Sequence, residues 1–560
     1  MSQIKLLKII IFILLLVFLV SFLVHKINLP TDDLGRHIKA GEIILDKGSV
    51  PDVNLFSYAQ ADHPFINHHW LSEVIFYILF QMGGYVGLIL FKVLVLLLAF
   101  SLVFFVALKR SNFFWATVFG FLCILVFVER TDVRPEMFSY LFVALYLYIF
   151  YLFDKGNKKA FWYLVPLQLL WVNLHIYFFV GVFLVLVFVL QYILPLLKSW
   201  VNHKGISADG RQLLMIMVLF VLVIFINPNF ISGALYPLNV LNNYGYDIVE
   251  NKSPFYLEDL MLNPHIDYFK ILLVLIVLGF IFNHKRARLF DFLSGSFAVF
   301  LGWFALRNLP VMALLALPML SVSFHQSVEA SLREWIRESA RMRVFFNNLK
   351  VVIFVLIFIL LLFQVYANFV GKQGLLPVKI KEQGIGVTRD SEDAVKFFLE
   401  NKIEGPVFNN FDIGSHLDFY FYPEPKTFVD NRPEAFDVEF WQYVYIPAQS
   451  DSEWWQVFSE HYGFNSIFFG HTDGTGWGRS FVERILGDEE WVPIYLDKHA
   501  VILVKAVGKN RSLIEKYALD REGVGVEINS LKPIKVDTGA LEERKRGADY
   551  IQKNFKVLVK

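Results

Sequence analysis

The sequence has one cysteine and few charged residues, and both shortages limit what the chain can be. Because Cys123 is the only cysteine, the chain cannot form an internal disulfide, and this residue lies inside a long apolar run. Charged residues make up 18% of the 560 positions and hydrophobic residues 56%, whereas a soluble protein is about 25% charged. This composition excludes a soluble enzyme and a disordered chain. The net charge of +1 also excludes a nucleic-acid binder that relies on bulk positive charge.

The charges that are present are distributed unevenly. Residues 1–370 contain 28 Lys/Arg and 21 Asp/Glu, whereas the much shorter segment 371–560 contains 24 and 30. The first segment is too apolar and the second too polar for one common solvent. We therefore predict a membrane-embedded module at 1–370 that includes a first external loop at 26–83, an α/β domain at 371–510, and a charged tail at 511–560.

Long apolar runs predict the membrane-spanning helices. Runs of about 17–25 residues can cross about 30 Å of hydrocarbon. The first has no small-residue cleavage pattern after it, so we interpret it as an anchor rather than a signal peptide. Eleven spans are predicted, at 7–25, 84–108, 113–129, 135–153, 160–174, 176–197, 212–227, 268–283, 289–305, 308–324 and 350–370.

The distribution of Lys and Arg in the loops predicts the orientation. Loops on the same side as the N-terminus are rich in these residues, for example Lys285, Arg286 and Arg288, and such loops stay in the cytoplasm. Eleven spans then place the polar domain outside. The fold class expected is an α-helical polytopic cell-membrane protein, with a cytoplasmic N-terminus and a C-terminal extracytoplasmic α/β domain.

The first external loop carries two groups of polar residues beside predicted spans, where charges are costly and often functional. Asp33 and His37 are four residues apart, which suits a carboxylate–imidazole pair on one helix face. Asp32 or Asp33 could instead cap a helix predicted from Leu34 to Asp46. In the second group, His69 and Glu73 are four residues apart with His68 one residue earlier, which gives only a weak zinc signal.

Three further groups fall at predicted external ends of spans. Arg130 and Arg134 lie in a tight turn, and arginine forms fork-shaped hydrogen bonds with phosphate; contact with lipid headgroups is the alternative. The other two groups are Asn173 with His175, and Arg307 with its neighbour Asn308. The clustering of all five groups on one side favours a site there.

Several motifs together resemble a large bacterial family of multi-spanning proteins assigned to the GT-C glycosyltransferases, alongside the dolichyl-phosphate-mannose protein mannosyltransferases and the lipid A sugar transferases. Its members read D-x-D-L-(W/G)-W-H-L-x-x-G, H-x-W-L-x-E, R-P and W-x-N-x-H in this order. The matching segments here are TDDLGRHIKAG, HHWLSE, RPE and WVNLH, and the segment VFNNFDIGSHLDFYFYPEPKTFVDNRPE is similar to the external domain of that family.

The resemblance implies an inverting transfer of a sugar from a polyprenyl-phosphate donor to an acceptor on the outer face. It implies Asp33 as the essential acid, with Asp32 as the alternative. The residues expected to bind the donor phosphate are Arg130, Arg134 and Arg307, and those expected to orient substrate are His37, His68, Glu73, Asn173 and His175. Two departures from the motif are Thr31, in place of its first Asp, and Arg36, in place of an aromatic residue.

The cofactor prediction is limited to a divalent cation, for which Asp33, His37 and Glu73 are the candidate ligands. The expected partners are membrane lipid, the donor, and an acceptor that is a glycan, lipid or protein; nucleic acid is not expected. The competing interpretation is a transporter or flippase of a lipid-linked substrate, although such proteins commonly have internal repeats and polar groups near the bilayer midplane. A scaffold would not require eleven spans.

Overall fold

A computed structural model describes residues 3–201, 208–241, 244–338 and 340–531 of the chain. The chain divides into two compact units that are not contiguous in sequence. The helical unit comprises Met1–Lys26, Gly83–Pro237 and Ile248–Gly386, and the mixed unit comprises Ile27–Met82, Leu238–Asp247 and Val387–Lys560.

The helical unit is built almost entirely from apolar helices. Residues such as Leu15, Phe18 and Ala99 are fully buried between them, and the side chains on the remaining faces include many exposed Leu, Ile and Phe. The helices whose residues belong wholly or partly to this unit are α1 (Gln3–Leu23), α3 (Trp70–Arg110), α4 (Phe113–Phe127), α5 (Glu136–Asp154), α6 (Leu164–Leu174), α7 (Phe178–Val201), α8 (Ala208–Val223), α9 (Phe230–Leu235), α10 (Pro254–Leu257), α11 (Pro264–Asn283), α12 (Leu289–Phe304), α13 (Leu309–Glu338) and α14 (Ala340–Val370).

Among the described residues, six helices are long and apolar enough to cross a membrane: Lys5–Leu23, Trp70–Arg110, Glu136–Asp154, Pro264–Asn283, Leu306–Val328 and Arg341–Val370. Four more apolar helices, which coincide with predicted spans, are shorter: Phe113–Phe127, Phe178–Ile193, Gly210–Val223 and Leu289–Phe304. The predicted span at 160–174 corresponds to a 3₁₀ helix, Lys158–Tyr163, followed by the 11-residue α6. Multiple membrane-spanning helices are therefore supported by length and composition, whereas the count of eleven and the orientation stay predictions.

Helix α3 bends sharply at Gly84. This glycine has φ 57° and ψ −152°, which lies outside the helical region and is open chiefly to glycine. The residues before the bend, up to Met82, belong to the mixed unit, and those after it belong to the helical unit. The predicted span from 84 is thus the second part of a kinked helix that begins at Trp70.

The mixed unit is a layered α/β structure. Its four-stranded sheet has the order β1-β2-β4-β3, in which β1 and β2 run parallel and β4 is antiparallel to both of its neighbours. Alternate residues face opposite sides of a strand, so Phe408 contributes to one apolar cluster and Val407 to another. The strands are β1 (Val407–Asn409), β2 (Ser466–Phe469), β3 (Trp491–Leu496) and β4 (Val501–Lys505).

Helices cover both faces of this sheet. Trp455 and Phe481 from two helices pack in the first cluster, and Phe398 and Leu417 from two others pack in the second. The helices of the mixed unit are α2 (Leu34–Lys47), α15 (Asp393–Glu400), α16 (Phe411–Phe421), α17 (Val438–Phe440), α18 (Ile446–Ser450), α19 (Ser452–Tyr462), α20 (Gly476–Gly487), α21 (Arg511–Tyr517) and α22 (Arg521–Ser530).

The segment Lys426–Asp430 does not join the sheet. Thr427 instead forms a parallel bridge with Ser57, and the Ser57 hydroxyl donates to the carbonyl of Phe428 at 2.7 Å. The backbone N–H and C=O of Thr427, which could pair with a strand of the sheet, instead form hydrogen bonds with the first loop. This pairing helps to explain why residues 27–82 group with the C-terminal part of the chain.

The limits of the two compact units differ from those of the three predicted segments. Ile27–Met82 and Leu238–Asp247 fall within the predicted membrane module but pack in the mixed unit. Part of the predicted tail is also packed, because Val524 and Ile528 of α22 are buried in the first cluster. Residues 532–560 of that tail lie outside the described residues. The predicted limits of the membrane-embedded module, the α/β domain and the tail stay predictions.

Candidate active site

The two neighbouring aspartates at the start of α2 have different surroundings. Asp32 accepts a hydrogen bond from the backbone N–H of Leu34 at 3.3 Å. Asp33 occupies the N-cap position, yet its side chain makes no capping bond. Its carboxylate oxygen Oδ1 instead accepts a hydrogen bond from the Asn431 amide. The expected capping role therefore falls to Asp32, and Asp33 is directed elsewhere.

The Asn431 amide connects α2 to α16. Its oxygen Oδ1 accepts hydrogen bonds from Arg36 Nε at 3.0 Å and from the Ser415 hydroxyl. The two helices approach closely at Gly35, where a Cβ would lie 2.5 Å from the carbonyl oxygen of Ser415. Glycine is thus required for this arrangement of Asp33, Arg36 and Asn431.

His37 does not pair with Asp33, as its spacing suggested, but with Glu73. His37 Nδ1 lies 2.9 Å from Glu73 Oε1, and each side chain is only 2% exposed. Asn67 donates to the second oxygen, Oε2, at 2.5 Å, and Arg36 Nη1 lies 3.8 Å from Oε1. A Cβ at Gly41 would lie 2.1 Å from the Glu73 carbonyl oxygen, so this glycine allows α2 to pack against the start of α3.

Burial lowers the pKa of His37, and the nearby Arg36 lowers it further, against the opposing effect of Glu73. A neutral imidazole that donates through Nδ1 to a carboxylate keeps Nε2 as a hydrogen-bond acceptor. The pair therefore supplies a buried, fixed imidazole beside the first turn of α2.

The predicted metal ligands do not form a metal site in this arrangement. Both oxygens of Glu73 accept hydrogen bonds, and Nδ1 of His37 is committed to the same carboxylate. Among the described residues no group of three or more His, Cys, Asp or Glu side chains is placed to hold a metal ion. His68 is oriented towards its own loop, with Nδ1 3.3 Å from the carbonyl of Ile66. These residues do not fit a divalent cation, and the mechanism below uses none.

The helical unit contains a second network, centred on Arg130. Arg130 Nη2 donates to Glu136 Oε1 at 2.8 Å, and Nη1 lies 2.6 Å from Glu250 Oε2. Arg134 Nη1 contacts the same glutamate oxygen at 3.4 Å. Arg307 Nη2 lies 3.8 Å from Glu136. The structure therefore brings together the three arginines that the sequence suggested, and adds two carboxylates.

Glu250 belongs to a short 3₁₀ helix, Val249–Asn251, that is anchored at several points. Asn251 Oδ1 accepts a hydrogen bond from Arg307 at 2.8 Å, and the carbonyl of Lys252 accepts one from the Leu306 N–H at 3.0 Å. The Glu250 side chain is 36% exposed. The nearby arginines lower the pKa of Glu250 to about 2, with Arg130 contributing most against the effect of burial.

The remaining predicted residues of this unit, His175 and Asn173, make separate hydrogen bonds within it. His175 Nδ1 lies 2.8 Å from the Ser139 hydroxyl, and Asn173 donates to the carbonyls of Leu169 and Ile226. Both side chains thus stabilise the backbone and their neighbours in this structure. The Tyr140 hydroxyl and Arg307 Nε are buried with no hydrogen-bond partner among the described residues. Such atoms favour a ligand or water that would satisfy them.

Among the residues of these networks that the sequence interpretation missed are Glu250 and Asn431. Glu250 lies in a loop rich in Asn, Pro and Tyr, and it is not part of any of the motifs that carry the resemblance. Asn431 lies in the segment DNRPE, where Asp430 and Arg432 form a buried ion pair of 2.6 Å. The similarity of that segment to the external domain of the resembled family was the one available signal.

Comparison with solved structures identifies the fold. The archaeal oligosaccharyltransferase AglB from Archaeoglobus fulgidus, in complex with an inhibitory peptide and a dolichol-phosphate, aligns with a TM-score of 0.54 and 12% identity, covering 88% of this chain and 73% of the archaeal one. Its apo form gives 0.52 and 12%, covering 87% and 73%. ArnT from Cupriavidus metallidurans gives 0.46 and 13%, covering 90% and 98%, a score too low to support a conclusion.

No protein-family model and no curated protein sequence matches the chain. The structural neighbours are GT-C superfamily glycosyltransferases. At 12% identity the alignment with AglB shows a shared fold, so the predicted GT-C resemblance is confirmed at the level of the fold.

Proposed function

We propose that the chain is a membrane glycosyltransferase that transfers a sugar from a polyprenyl-phosphate-linked donor to an acceptor on the extracytoplasmic face, with inversion. The observation that carries this proposal is the arginine network. Three arginines contact two carboxylates beside the ends of apolar helices, which leaves an excess of positive charge within the network. The archaeal neighbour with the same fold was solved with dolichol-phosphate.

The arginines suit the chemistry of the leaving group. When the bond between the anomeric carbon and the phosphate oxygen breaks, its electron pair stays on the phosphate and negative charge develops there. Fixed guanidinium groups stabilise this charge without reorganisation. Arg134 and Arg307 would bind the phosphate, while Arg130, which contacts both glutamates, would mainly hold the network in place.

Asp33 is the proposed general base. The nucleophile of the acceptor attacks the anomeric carbon from the face opposite the phosphate, and its proton passes to the Asp33 carboxylate. General-base catalysis of this kind contributes roughly 10²–10⁴-fold to the rate. The His37–Glu73 pair lies beside Asp33 in the same unit and would keep the start of α2 in a fixed geometry.

The test is transfer from a panel of radiolabelled polyprenyl-phosphate hexoses and pentoses, in proteoliposomes supplied with a membrane extract as acceptor. We expect the wild-type protein to release polyprenyl phosphate and label the acceptor, and Asp33→Asn to lose at least about 100-fold in rate. Asp46→Asn is the matched control, because Asp46 is an exposed aspartate of the same helix. Full activity of Asp33→Asn would refute the base assignment. Movement of donor across the vesicle without transfer would favour a flippase.

A further inference from the structure

The amide of Asn431 is the meeting point of three side chains of the mixed unit. Its nitrogen Nδ2 donates to Asp33 Oδ1. Its oxygen Oδ1 accepts from Arg36 Nε at 3.0 Å and from the Ser415 hydroxyl. Ser415 is fully buried and Arg36 is 6% exposed, so two of these partners are held firmly by packing.

The orientation of this amide follows from chemistry. Arginine can only donate hydrogen bonds, and an amide NH₂ group cannot accept one. The atom that faces Arg36 must therefore be the oxygen, and the nitrogen must face Asp33. Reversing the amide would place its NH₂ group against the Arg36 guanidinium and its oxygen against the Asp33 carboxylate.

Arg36 explains part of this arrangement. It stands where the resembled motif has an aromatic residue, and its guanidinium supplies several N–H donors where a tryptophan has a single one. Its Nη1 also lies 3.8 Å from Glu73, so Arg36 connects the amide to the buried His37–Glu73 pair. The orientation of Asn431 is thus fixed by several contacts rather than by one.

We propose that Asn431 is a positioning residue for the transfer reaction: its amide N–H holds one oxygen of the Asp33 carboxylate and so fixes the orientation in which Asp33 receives the acceptor's proton. This inference rests on the proposed function, because it assumes Asp33 as the base. A neutral donor orients an anionic base without neutralising it. A lysine or arginine in the same place would hold the carboxylate but weaken it as a base.

The experiment compares Asn431→Ala with Asn431→Asp, using steady-state transfer from the radiolabelled polyprenyl-phosphate sugar that the wild type turns over. Asn431→Asp keeps the size of the side chain and an oxygen for Arg36 and Ser415, but it places a carboxylate against Asp33. Two adjacent carboxylates share a proton, so we expect kcat to fall about 100-fold. Asn431→Ala removes the donor without adding repulsion, and we expect about a tenfold fall. The donor KM should stay unchanged in both variants.

Thermal unfolding separates positioning from a structural role. Alanine removes three hydrogen bonds and leaves a space, whereas aspartate retains the contacts to Arg36 and Ser415. A structural role therefore makes Asn431→Ala the more damaged variant in both Tm and kcat. A positioning role predicts that Asn431→Asp has the lower kcat although Asn431→Ala has the lower Tm.

The matched controls are Asn401→Ala and Asn401→Asp, because the side chain of Asn401, the residue that follows α15, donates to the carbonyl of Phe397. These variants should keep the wild-type kcat. The inference is overturned if kcat falls in the same order as Tm in the two Asn431 variants, or if only the donor KM changes in them. If Asp33→Asn is inactive while both Asn431 variants remain fully active, positioning fails and the base assignment stands. If the wild type transfers no sugar, the proposed function fails and this inference fails with it.

Discussion

The residues around Asp33 form one network, here called the Asp33 network: Asp33, Arg36, His37, Glu73 and Asn431. Its charged groups are stabilised differently from those of the arginine network. Asp33 accepts a hydrogen bond from a neutral amide, Asn431, and Glu73 accepts bonds from His37 and Asn67. In the helical unit, by contrast, Arg130 faces two carboxylates directly, Glu136 and Glu250. The Asp33 carboxylate is thus oriented by a neutral donor, whereas the carboxylates of the arginine network are balanced directly by opposite charge.

The difference matches the chemistry proposed for each network. A base must keep its negative charge until the acceptor arrives, so a neutral donor suits it. A binding site for an anion must stay ordered without its ligand, and carboxylates can hold the arginines until a phosphate arrives. The comparison predicts that losing one charge costs more stability in the arginine network, where each charge depends on another.

The largest effect is expected for Arg130→Met. Removing this guanidinium leaves the carboxylates of Glu136 and Glu250 without their main partner. Breaking a buried ion pair by removing one member costs about 3–5 kcal/mol, and the Arg130 and Glu136 side chains are only 11% and 7% exposed. Unfolding in mixed detergent micelles measures the loss.

The control for Arg130→Met is the double variant Arg130→Met with Glu136→Gln, which removes the uncompensated charge as well. We expect it to be more stable than Arg130→Met alone, because the two side chains are in contact and their effects are not additive. Strict additivity would show that the pair is not coupled. The comparison between the two networks would then lose its basis.

The sequence was sufficient for the local features of both networks. The limits of α2 follow from helical spacing and from Gly48, which ends the helix with φ 66°. Arg130 and Arg134 could be selected because two arginines in a tight external turn are unusual. Long apolar runs also predicted most of the helices of the helical unit.

The partners of these residues could not be found in the same way. Asn431 is 398 positions from Asp33, and Glu250 is 116 positions from Arg134. Such contacts depend on how distant elements pack, which no local pattern encodes. The spacing of Asp33 and His37 likewise suggested a pair, but burial against α3 gave His37 a different partner, Glu73.

A smaller effect is expected from acid, and it should affect the Asp33 network first. The folded-state pKa of His37 is lowered, whereas an unfolded histidine titrates near 6.5. The contribution of the neutral His37 imidazole to the free energy of unfolding is therefore fully present above about pH 6.5, and it is lost as the pH falls towards the folded-state pKa. The loss from His37 alone is at most about 1.4 kcal/mol per pH unit. Glu250, with a pKa of about 2, stays ionised throughout this range.

The contribution of His37 can be isolated with His37→Gln, a variant that retains a donor for Glu73 but does not titrate. Unfolding of both proteins is compared between pH 7 and pH 5, so that other buried histidines, such as His416, contribute equally to each. The stability difference between wild type and variant should shrink as the pH falls. A difference that is constant with pH would show that protonation of His37 is not linked to folding.

The smallest effect is expected for Glu250→Gln, and it concerns binding. If a donor phosphate takes the place of the Glu250 carboxylate on Arg134, the wild type must first give up that contact. The contact is partly screened because the glutamate is 36% exposed, and such pairs contribute about 0.2–1 kcal/mol. We therefore expect Glu250→Gln to bind polyprenyl phosphate about threefold more tightly in nanodiscs.

Glu258→Gln is the matched control, because Glu258 pairs with Lys270 rather than with the arginines. It removes the same charge from the same region of the chain, so it corrects for any general change in surface potential. Weaker binding by Glu250→Gln, with Glu258→Gln unchanged, would mean that Glu250 orients Arg134 for the phosphate instead of occupying its place. The arginine network would then resemble the Asp33 network, in which a partner positions a charge without competing for it.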